Sequence, residues 1–398
     1  MTTALDIAIP LPDMTSDIIA NDIFTVERSE GPGDQILILS LREALPEICR
    51  GLIFEHEDVL HSMFDSTLVS PRAIFSPKSL LEKGMRRILK QRSRSQWRSA
   101  AAAAGLLSKR YSMLIVCCQS LYDFEMMGGA SILLEQADRS VCLVAEVWKK
   151  NIEDYRRGTE TLREFTRVYN QCLLSVDSMA EQLDAPVAYN PPAVDLMRFT
   201  PAETSPEKRI DMYWMGRRAP TTHKQLLEFA RSQDFFYLYD TFAPESTVDH
   251  RSHRRLIAEI IRRSRYFWTN PAKSELQQQT GGQQEIGYRF FEGAAAGAAI
   301  IGQAPNSPAW EDYFGWKDSI LPFPYEADGL ANYLHELEGD PERVARAGLR
   351  NGTNALRRHD WAHRWREIYR SLNIAVPNQI MERIATLEDL ASKMDPDV

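Results

Sequence analysis

The chain has 398 residues, enough for two domains, and 44% of them are hydrophobic and 26% charged, as is usual for globular proteins. These values exclude wholesale disorder, and no apolar run reaches the roughly 18 residues that a membrane-spanning helix needs. The first residues lack the basic start and long apolar core of a signal peptide, and the five cysteines show no CxxC spacing typical of metal sites. We therefore expect a cytoplasmic protein with reduced cysteines in its core.

The first half of the chain alternates short apolar runs with helical patterns. After a leader over 1–34 that can add a strand, the predicted elements are strands at 35–41, 111–118, 140–148, 171–178 and 186–192, with helices at 42–63, 98–107 and 177–183. Strands that are apolar throughout and alternate with helices indicate parallel pairing with both faces covered. The pattern predicts an α/β layered domain.

A basic segment, residues 72–98, interrupts this series. It holds nine Lys or Arg and one acid, Glu82, so its net charge is +8 in a chain whose total is −8. A solvated helix face is one interpretation, and a surface for anionic lipid headgroups or a phosphate-bearing acceptor is the other. Nucleic acid is not expected as a partner, because no second basic stripe or aromatic platform accompanies the segment.

A proline-rich stretch, residues 190–208, precedes a second α/β series and is typical of an interdomain linker. The second series comprises predicted strands at 209–218, 234–241, 264–270 and 320–324 and helices at 221–232, 250–263, 326–338, 340–356 and 377–393. Two α/β halves of similar size thus lie on either side of one joint.

A glycine, Gly216, directly follows the first strand of the second series and precedes a helix. Such a turn exposes backbone N–H groups at a helix N-terminus, where phosphate binds readily. Arg217 and Arg218 add positive charge, and Lys224 lies just beyond. The alternative is a surface turn with incidental basic residues, and a single glycine followed by arginine does not decide between them.

The stretch EIGYRFFEGAAAGAAII, residues 285–301, combines charged residues with a run of very small side chains. Glu285, Arg289 and Glu292 introduce a predicted helix that runs on through Ala299, and a helix this thin permits close backbone approach. Glu292 can complement the helix dipole, or its carboxylate can accept two hydrogen bonds from a vicinal diol such as that of a ribose. Chemistry alone leaves both roles open.

Residues 289–301, RFFEGAAAGAAII, resemble the R-x-F-E-x-x-A-x-G signature of GT-B glycosyltransferases of the group-1 (family-4-like and CgeB-like) type. Residues 175–201 are similar to the family segment that leads into the hinge, 209–230 to the first strand, glycine turn and helix of its donor domain, and 355–369 to its terminus. The resemblance covers about 110–370. It implies an α/β fold of the GT-B class, with two Rossmann-like domains facing a cleft, over 1–200 and 201–375, and a C-terminal helix over 376–398 that crosses back to the first domain.

The same resemblance implies a nucleotide-diphosphate sugar as donor, with UDP and GDP sugars favoured. The reaction that it implies requires no metal or other cofactor. It places Glu292 on the donor ribose and Gly293 near the nucleotide. It also places Arg217 and Lys224 on the diphosphate. The remaining candidates of the predicted donor site are Gly216, Arg218, Arg289 and Glu285. Glu285 precedes Glu292 by seven positions, one fewer than the spacing of paired glutamates that is usual in the family.

The N-terminal domain is expected to bind the acceptor, a hydroxyl compound that is a glycan, a lipid-linked molecule or a small molecule. Ligands of open α/β sheets collect just after strand ends. This rule makes Gln119, Asp123, Glu146 and Trp148 the candidates, with Asp123 the candidate catalytic acid. Asp123 and Glu146 can equally serve as simple loop or cap residues.

Two groups of residues have metal-binding side chains without the rest of a metal site. EHED at 55–58 lies in a charged helical pattern with no partner at ligand spacing. His359 and His363 stand beside Trp361 and Trp365, which indicates a packed terminal helix instead. The sequence therefore predicts no metal site.

The sequence as a whole predicts a metal-independent glycosyltransferase in which Arg217, Arg218 or Lys224 stabilises the leaving nucleotide. The family resemblance favours retention of the anomeric configuration. Three alternatives stay open: a non-catalytic GT-B subunit that binds a nucleotide sugar or a partner enzyme, a nucleotide-sugar 2-epimerase, and an interaction protein that uses the basic segment at the inner face of a membrane.

Overall fold

The computed structural model describes residues 17–20, 24–29, 35–72, 98–99, 101–102, 104–126, 130–156, 159–200, 206–240 and 249–394. Apart from Arg72 and Arg98 at its ends, the basic segment lies outside these residues, and so does most of the predicted leader. The chain divides into two compact units. The first comprises Met1–Leu45, Glu57–Val116 and Met126–Val141, and the second comprises Pro46–His56, Cys117–Glu125 and Cys142–Val398.

The first unit is built around a short apolar strand, β3. Its strands are β1 (Asp17–Ala20), β2 (Phe24–Arg28), β3 (Ile36–Leu39), β4 (Ser66–Pro71) and the start of β5 (Tyr111–Ser120). They lie in the order β1-β2-β4-β3-β5, with β3 parallel to β4 and β5 and with β2 antiparallel to β1 and β4. Every residue of β3 is buried, as expected for a central parallel strand. The sequence pattern does not predict β4, because Ser and Thr interrupt its apolar residues.

The second unit contains most of the remaining elements. Its strands are the ends of β5 and of β6 (Ala137–Glu146), then β7 (Arg167–Asn170), β8 (Val187–Tyr189), β9 (Ile210–Met215), β10 (Tyr237–Asp240), β11 (Ser264–Thr269), β12 (Ala299–Gly302) and β13 (Leu321–Pro322). The described α-helices of the chain are α1 (Gly51–Met63), α2 (Tyr122–Met126), α3 (Ile152–Tyr155), α4 (Val176–Leu183), α5 (Leu196–Phe199), α6 (Pro220–Ser232), α7 (His250–Arg262), α8 (Gln277–Thr280), α9 (Tyr288–Ala295), α10 (Ala309–Phe314), α11 (Leu330–Glu338), α12 (Pro341–Arg358), α13 (Trp361–Ser371) and α14 (Asn378–Met394). Short 3-10 helices cover Ile48–Arg50, Ala130–Gln136, Lys149–Asn151, Glu160–Glu164 and Leu173–Ser175.

A five-stranded parallel sheet forms the core of the second series, in the order β10-β9-β11-β12-β13. Trp214 on β9 stacks on Trp268 on β11, with ring centroids 4.8 Å apart, and both rings are buried. Apolar residues from α6, α11 and α12 cover the sheet beside them. The predicted α/β class, with buried parallel strands alternating with helices, is confirmed.

The small-residue stretch 294–299 differs from its prediction as one continuous helix. Helix α9 ends at Ala295, Gly297 has a φ of +63°, and β12 begins at Ala299. A left-handed residue after a helix end strongly favours glycine, so Gly297 terminates the helix here instead of occupying its interior. The predicted close approach of backbones is nevertheless present, between Gly297 and helix α12. A Cβ added to Gly348 of α12 would lie only 2.7 Å from the Gly297 carbonyl oxygen.

The predicted strand at 171–178 is wrong. The strand β7 ends earlier, at Asn170, and the residues after it form a 3-10 turn and helix α4. The Asn170 side chain accepts a hydrogen bond from the Cys172 backbone N–H at 2.9 Å and donates one to the Ser175 hydroxyl at 2.9 Å. Such local side-chain bonds compete with strand pairing and turn the chain.

The described part of the proline-rich stretch, residues 190–200 and 206–208, includes a firmly held segment. The Val194 N–H donates to the His359 carbonyl at 3.0 Å, and the Leu196 N–H donates to Asp360 Oδ2 at 3.0 Å. Arg364 on α13 donates to the carbonyl oxygens of Pro191 and Pro192. Residues 191–196 are therefore fixed against the region around α13 rather than free in solvent.

Helix α14 packs against α12 and α13. That it also crosses back to an N-terminal domain stays a prediction, as do the domain ranges 1–200, 201–375 and 376–398. None of the helices in the described part of the chain combines the length and apolar character that a membrane span requires.

Candidate functional site

The five-stranded sheet has a topological switch between β9 and β11. From β9 the chain passes through α6 to β10 on one side, and from β11 it passes through α9 to β12 on the other. Adjacent parallel strands with diverging connections open a crevice at their carboxyl ends, where open α/β sheets bind ligands. The loops after both strands meet at this edge, because Arg217 Nη1 lies 2.6 Å from Glu275 Oε1. This switch-point crevice is the candidate functional site.

The glycine turn after β9 has the conformation that the sequence predicts. Gly216 has a φ of +85°, which favours glycine, and the space around its missing Cβ is open. Arg218 donates to the Gly216 carbonyl at 2.8 Å, and its guanidinium lies 5.1 Å from the ring centroid of Tyr239. Helix α6 begins directly afterwards, with Pro220 in its first turn, and Glu326 Oε1 accepts the Thr221 backbone N–H at 3.3 Å and the Thr221 hydroxyl at 2.7 Å. The turn therefore presents positive charge and a helix N-terminus at the crevice.

Arg217 and Lys224 differ in their surroundings. Arg217 is 58% exposed and its partner Glu275 belongs to the facing loop, so the ion pair is weak enough to exchange for a ligand anion. Lys224 is 77% exposed and lies 3.9 Å from Glu228, four residues along α6. Of the two predicted diphosphate residues, Arg217 is the one that the structure places at the edge of the crevice.

Glu292 lies in α9, whose N-terminal end follows β11 and therefore faces the same edge of the sheet. Its side chain is 1% exposed and forms ion pairs with Arg254 of α7 and with Arg289 of α9 itself. Burial by itself raises the pKa of this carboxyl, but the two guanidinium groups outweigh burial and hold the pKa below its usual value. Glu292 is therefore an ionised carboxylate inside the protein.

Arg254 is a member of this cluster that sequence analysis missed. Its Nε lies 2.8 Å from Glu55 Oε2, although the two residues are 199 positions apart in the chain, so Arg254 links Glu292 to Glu55. A signal was present: Arg254, Ile257, Ala258 and Ile261 occupy the i, i+3, i+4 and i+7 positions of one helix face, and all four are buried. An arginine in an apolar stripe needs a buried partner, which the sequence alone did not identify.

The ion pairs continue beyond Arg254 as a connected series of alternating charges within the second unit. In order, its eight members are Arg289, Glu292, Arg254, Glu55, Arg198, Asp195, Arg383 and Asp360. Four acids and four arginines leave it with no net charge. Buried ions of one sign are costly, and alternation gives each of them an opposite neighbour. Residues 55–58 lie in helix α1, as their helical pattern predicts, and all four are buried.

Glu285 and Gly293 have other neighbours. The Glu285 carboxylate accepts the backbone N–H groups of Leu173 and Leu174, both at 3.0 Å, and the side-chain amide of Gln283 at 2.8 Å. Burial raises its pKa to about 7, against the opposing effect of these hydrogen bonds. At Gly293 a Cβ would lie 2.6 Å from a ring atom of Phe267, so this glycine allows α9 to pack closely on β11.

The candidate acceptor residues form a connected group at the ends of β5 and β6. Asp123 accepts the Gln119 N–H at 2.6 Å and is held by both Nη atoms of Arg50, at 2.8 and 3.0 Å. The Gln119 side chain reaches Glu146, which also accepts the Trp148 indole N–H at 2.7 Å. A lysine that the sequence analysis did not select joins this group: Lys273, from the loop after β11, forms an ion pair with Glu146.

The described residues contain no cluster of three or more His, Cys, Asp or Glu side chains that could hold a metal ion. His359 packs against the rings of Phe291 and Phe314, with centroids 4.9 Å apart in each case, and His363 Nε2 lies 3.0 Å from the Leu356 carbonyl oxygen. These two histidines are parts of the packed region around α13, as their tryptophan neighbours indicate.

Comparison with known proteins gives a family match in the C-terminal half. Residues 224–370 match the family model described as glycosyl transferase-like. No curated protein sequence matches the chain. Among solved structures, a TarM variant from S. aureus in complex with UDP, fondaparinux and α-GlcNAc-glycerol is similar at 11% identity and a TM-score of 0.41, over 69% of this chain and 55% of that one.

Two further structures are similar over most of their own length. They are CalG4, the calicheamicin glycosyltransferase (11% identity, 86% of this chain, 99% of that chain, TM-score 0.38), and a UDP-glucosyltransferase from Polygonum tinctorium (10% identity, 91% and 95%, TM-score 0.33). The chain spans about half the length of the TarM variant. Residues 224–370, which include α9 and Glu292, are similar to the glycosyl transferase-like family, as the resemblance of residues 289–301 predicts.

Proposed function

We propose that this protein is a glycosyltransferase that moves a sugar from a nucleotide-diphosphate sugar to a hydroxyl acceptor. The observation that carries the proposal is the match of residues 224–370 to a glycosyl transferase-like model, because this segment supplies one side of the switch-point crevice. The resemblance further favours a GT-B arrangement, with an acceptor domain over 1–200, a donor domain over 201–375 and a returning helix over 376–398.

In this proposal the N-terminus of α6, Gly216 and the arginines beside it receive the diphosphate. Positive charge placed there stabilises the nucleotide as it leaves and thereby lowers the barrier without a metal ion. Arg217 and Arg218 are the principal groups, with Lys224 further along the helix. Glu292 accepts the ribose hydroxyls, and the resemblance favours a retaining reaction with a UDP or GDP sugar.

The acceptor is proposed to bind among the group at the ends of β5 and β6. Glu146 and Gln119 offer hydrogen-bonding groups for sugar hydroxyls, and Trp148 offers an apolar ring beside them. Asp123 is the proposed catalytic carboxylate, and the two Nη atoms of Arg50 hold its side chain in place just after β5. A glycan, a lipid-linked molecule or a small molecule would fit this chemistry.

The decisive experiment incubates the protein with labelled UDP-, GDP-, ADP- and dTDP-sugars and measures binding, hydrolysis and transfer. We expect one of them to bind and to be hydrolysed slowly without an acceptor. Failure to bind any of them would reject the proposal. Binding without hydrolysis or transfer to any acceptor tried would instead support a non-catalytic nucleotide-sugar-binding subunit.

A matched pair of arginine variants tests the placement of the diphosphate. Arg217→Gln should slow turnover roughly tenfold to a hundredfold, the loss expected for one charged hydrogen bond. The control is Arg209→Gln: Arg209 precedes β9, so it lies at the opposite end of that strand, and it pairs with Glu207 at the surface. Equal turnover in the two variants would show that Arg217 does not take part in binding the diphosphate.

We also propose that the protein contacts membranes peripherally from the cytoplasm through the basic segment 72–98. Its charge of +8 favours anionic lipid surfaces. Replacing Arg86, Arg87, Arg92 and Arg94 together by glutamate should abolish sedimentation with anionic vesicles and leave enzymatic turnover on a soluble acceptor unchanged. Unchanged sedimentation would identify the segment as a solvated surface.

A further inference from the structure

The two arginines that neutralise Glu292 are not equivalent. Arg254 is 3% exposed, is shared with Glu55 through its Nε at 2.8 Å, and lies 5.1 Å from the ring centroid of Phe199. Arg289 is 37% exposed and reaches Glu292 from three residues away on the same helix. One guanidinium is thus built into the interior and the other reaches Glu292 from the surface.

The energetic consequences of removing each arginine differ accordingly. Withdrawing Arg254 would leave Glu292 with Arg289 alone and Glu55 with Arg198 alone, at 3.5 Å, so two interior carboxylates would each lose a counter-ion, which is strongly unfavourable. If Arg289 withdraws, Arg254 still faces Glu292, and Arg289 itself moves into water. Arg289 can therefore exchange its carboxylate partner for another anion, whereas Arg254 cannot.

The position of Arg289 determines which anion it can reach. It is the second residue of α9, at the helix end that follows β11 and faces the carboxyl edge of the sheet. Arg217 and the Gly216 turn, proposed to hold the diphosphate, follow the neighbouring strand at that edge. A bound nucleotide would bring its phosphates to the same end of the sheet as the Arg289 side chain.

We propose that Arg289 is an exchangeable latch on Glu292. In the empty site it covers the Glu292 carboxylate, and when the donor binds it transfers to the donor phosphates and frees the carboxylate for the ribose hydroxyls. Arg254 stays in place as the fixed counter-ion and is a positioning residue. This inference rests on the proposed function, and it gives the site a preference for ligands that carry ribose and phosphate together.

The latch makes opposite predictions for a nucleoside and for its diphosphate. A nucleoside must displace Arg289 without offering it an anion, while a nucleoside diphosphate compensates the displacement. Arg289→Gln removes the charge and should therefore bind the nucleoside more tightly and the diphosphate more weakly, each by roughly threefold to tenfold. Arg289→Lys keeps a positive charge and should retain most of the preference for the diphosphate.

The experiment measures calorimetric affinities of the intact protein for uridine, UDP, guanosine and GDP. The control is Arg370→Gln, because Arg370 pairs with Glu367 at the same three-residue spacing on α13 at 3.0 Å; it should leave every affinity unchanged. Equal thermal midpoints for the two glutamine variants would show that folding is not the cause.

The outcomes separate the latch from the function on which it rests. If the wild-type protein binds neither UDP nor GDP and none of the four nucleotide sugars tested above, the proposed function is rejected and the latch with it. If UDP or GDP binds, but Arg289→Gln changes nucleoside and diphosphate affinities in the same direction or changes neither, the latch alone is overturned. Opposite changes in the two affinities would establish it.

Discussion

Glu285 and Glu292 lie in one short stretch of the chain, and both are buried, yet their charge environments are opposite. Glu285 faces neutral donors, the N–H groups of Leu173 and Leu174 and the amide of Gln283, and burial raises its pKa to about 7. Glu292 faces two guanidinium groups, which lower its pKa in spite of burial. Burial alone therefore does not decide whether an interior carboxyl is ionised, because the charge of its hydrogen-bond partners can outweigh desolvation.

The largest effect on stability is expected when Arg254, the buried cationic partner of Glu292, is replaced. Arg254→Met should lower the free energy of unfolding by about 3–5 kcal/mol, because it leaves Glu55 and Glu292 as underpaired interior charges. Arg263→Met on the adjoining surface, which breaks an exposed pair with Glu259, should cost at most about 1 kcal/mol. Urea unfolding of both variants measures the difference. Similar losses of unfolding free energy in the two variants would show that the interior position of Arg254 does not increase its contribution to stability.

The pH dependence of stability tests the other carboxyl. The pKa of Glu285 is about 7 in the folded protein and 4.5 for the ordinary group, so between these values the folded state binds more protons than the unfolded chain. Its contribution to stability is then complete below about pH 4.5 and is lost as the pH rises towards 7. We expect Glu285→Gln to remove this loss, which amounts to a few kcal/mol at most.

The measurement is the free energy of unfolding of wild type and Glu285→Gln at pH 5 and pH 7. The comparison with the variant cancels other titrating groups, such as Glu57, whose pKa is also raised to about 7 by burial. Relative to the variant, the wild type should be less stable at pH 7 than at pH 5. A difference that does not change with pH would mean that Glu285 keeps an ordinary pKa.

The smallest effect in energy is the most informative about function. Glu292→Gln should weaken nucleotide binding roughly tenfold, because an amide accepts the ribose diol less well than a carboxylate does. Glu285→Gln should change the same affinity much less, since its oxygens are directed to a backbone turn. Calorimetric titration with the preferred nucleotide measures both, and circular dichroism checks that each variant is folded. Equal losses of nucleotide affinity in the two variants would show that Glu292 has no role in nucleotide binding that Glu285 lacks.

Several parts of the site could be predicted from local sequence. Gly216 has the positive φ that its place between a strand and a helix indicates, and Arg217 lies at the edge of the crevice. The apolar runs that became β3, β9 and β11 predicted the parallel pairing of these strands, because a strand buried on both faces has little tolerance for polar residues. Gly297 shows the limit of the method, since small residues suit a thin helix and a turn equally well until a φ value is known.

The sequence by itself determined the α/β class and the glycine turn. It predicted Glu292 at the entrance of a helix, whereas helix α9 begins four residues earlier, at Tyr288, and includes Glu292. These predictions depend on neighbours within a few residues, where apolar periodicity and backbone preferences act. Only the tertiary structure decided that Glu292 meets Arg254, that Arg254 meets Glu55, and that Glu285 meets a backbone turn instead. These partners come from distant parts of the chain, and an ionised interior group is stabilised by whatever charge folding brings beside it.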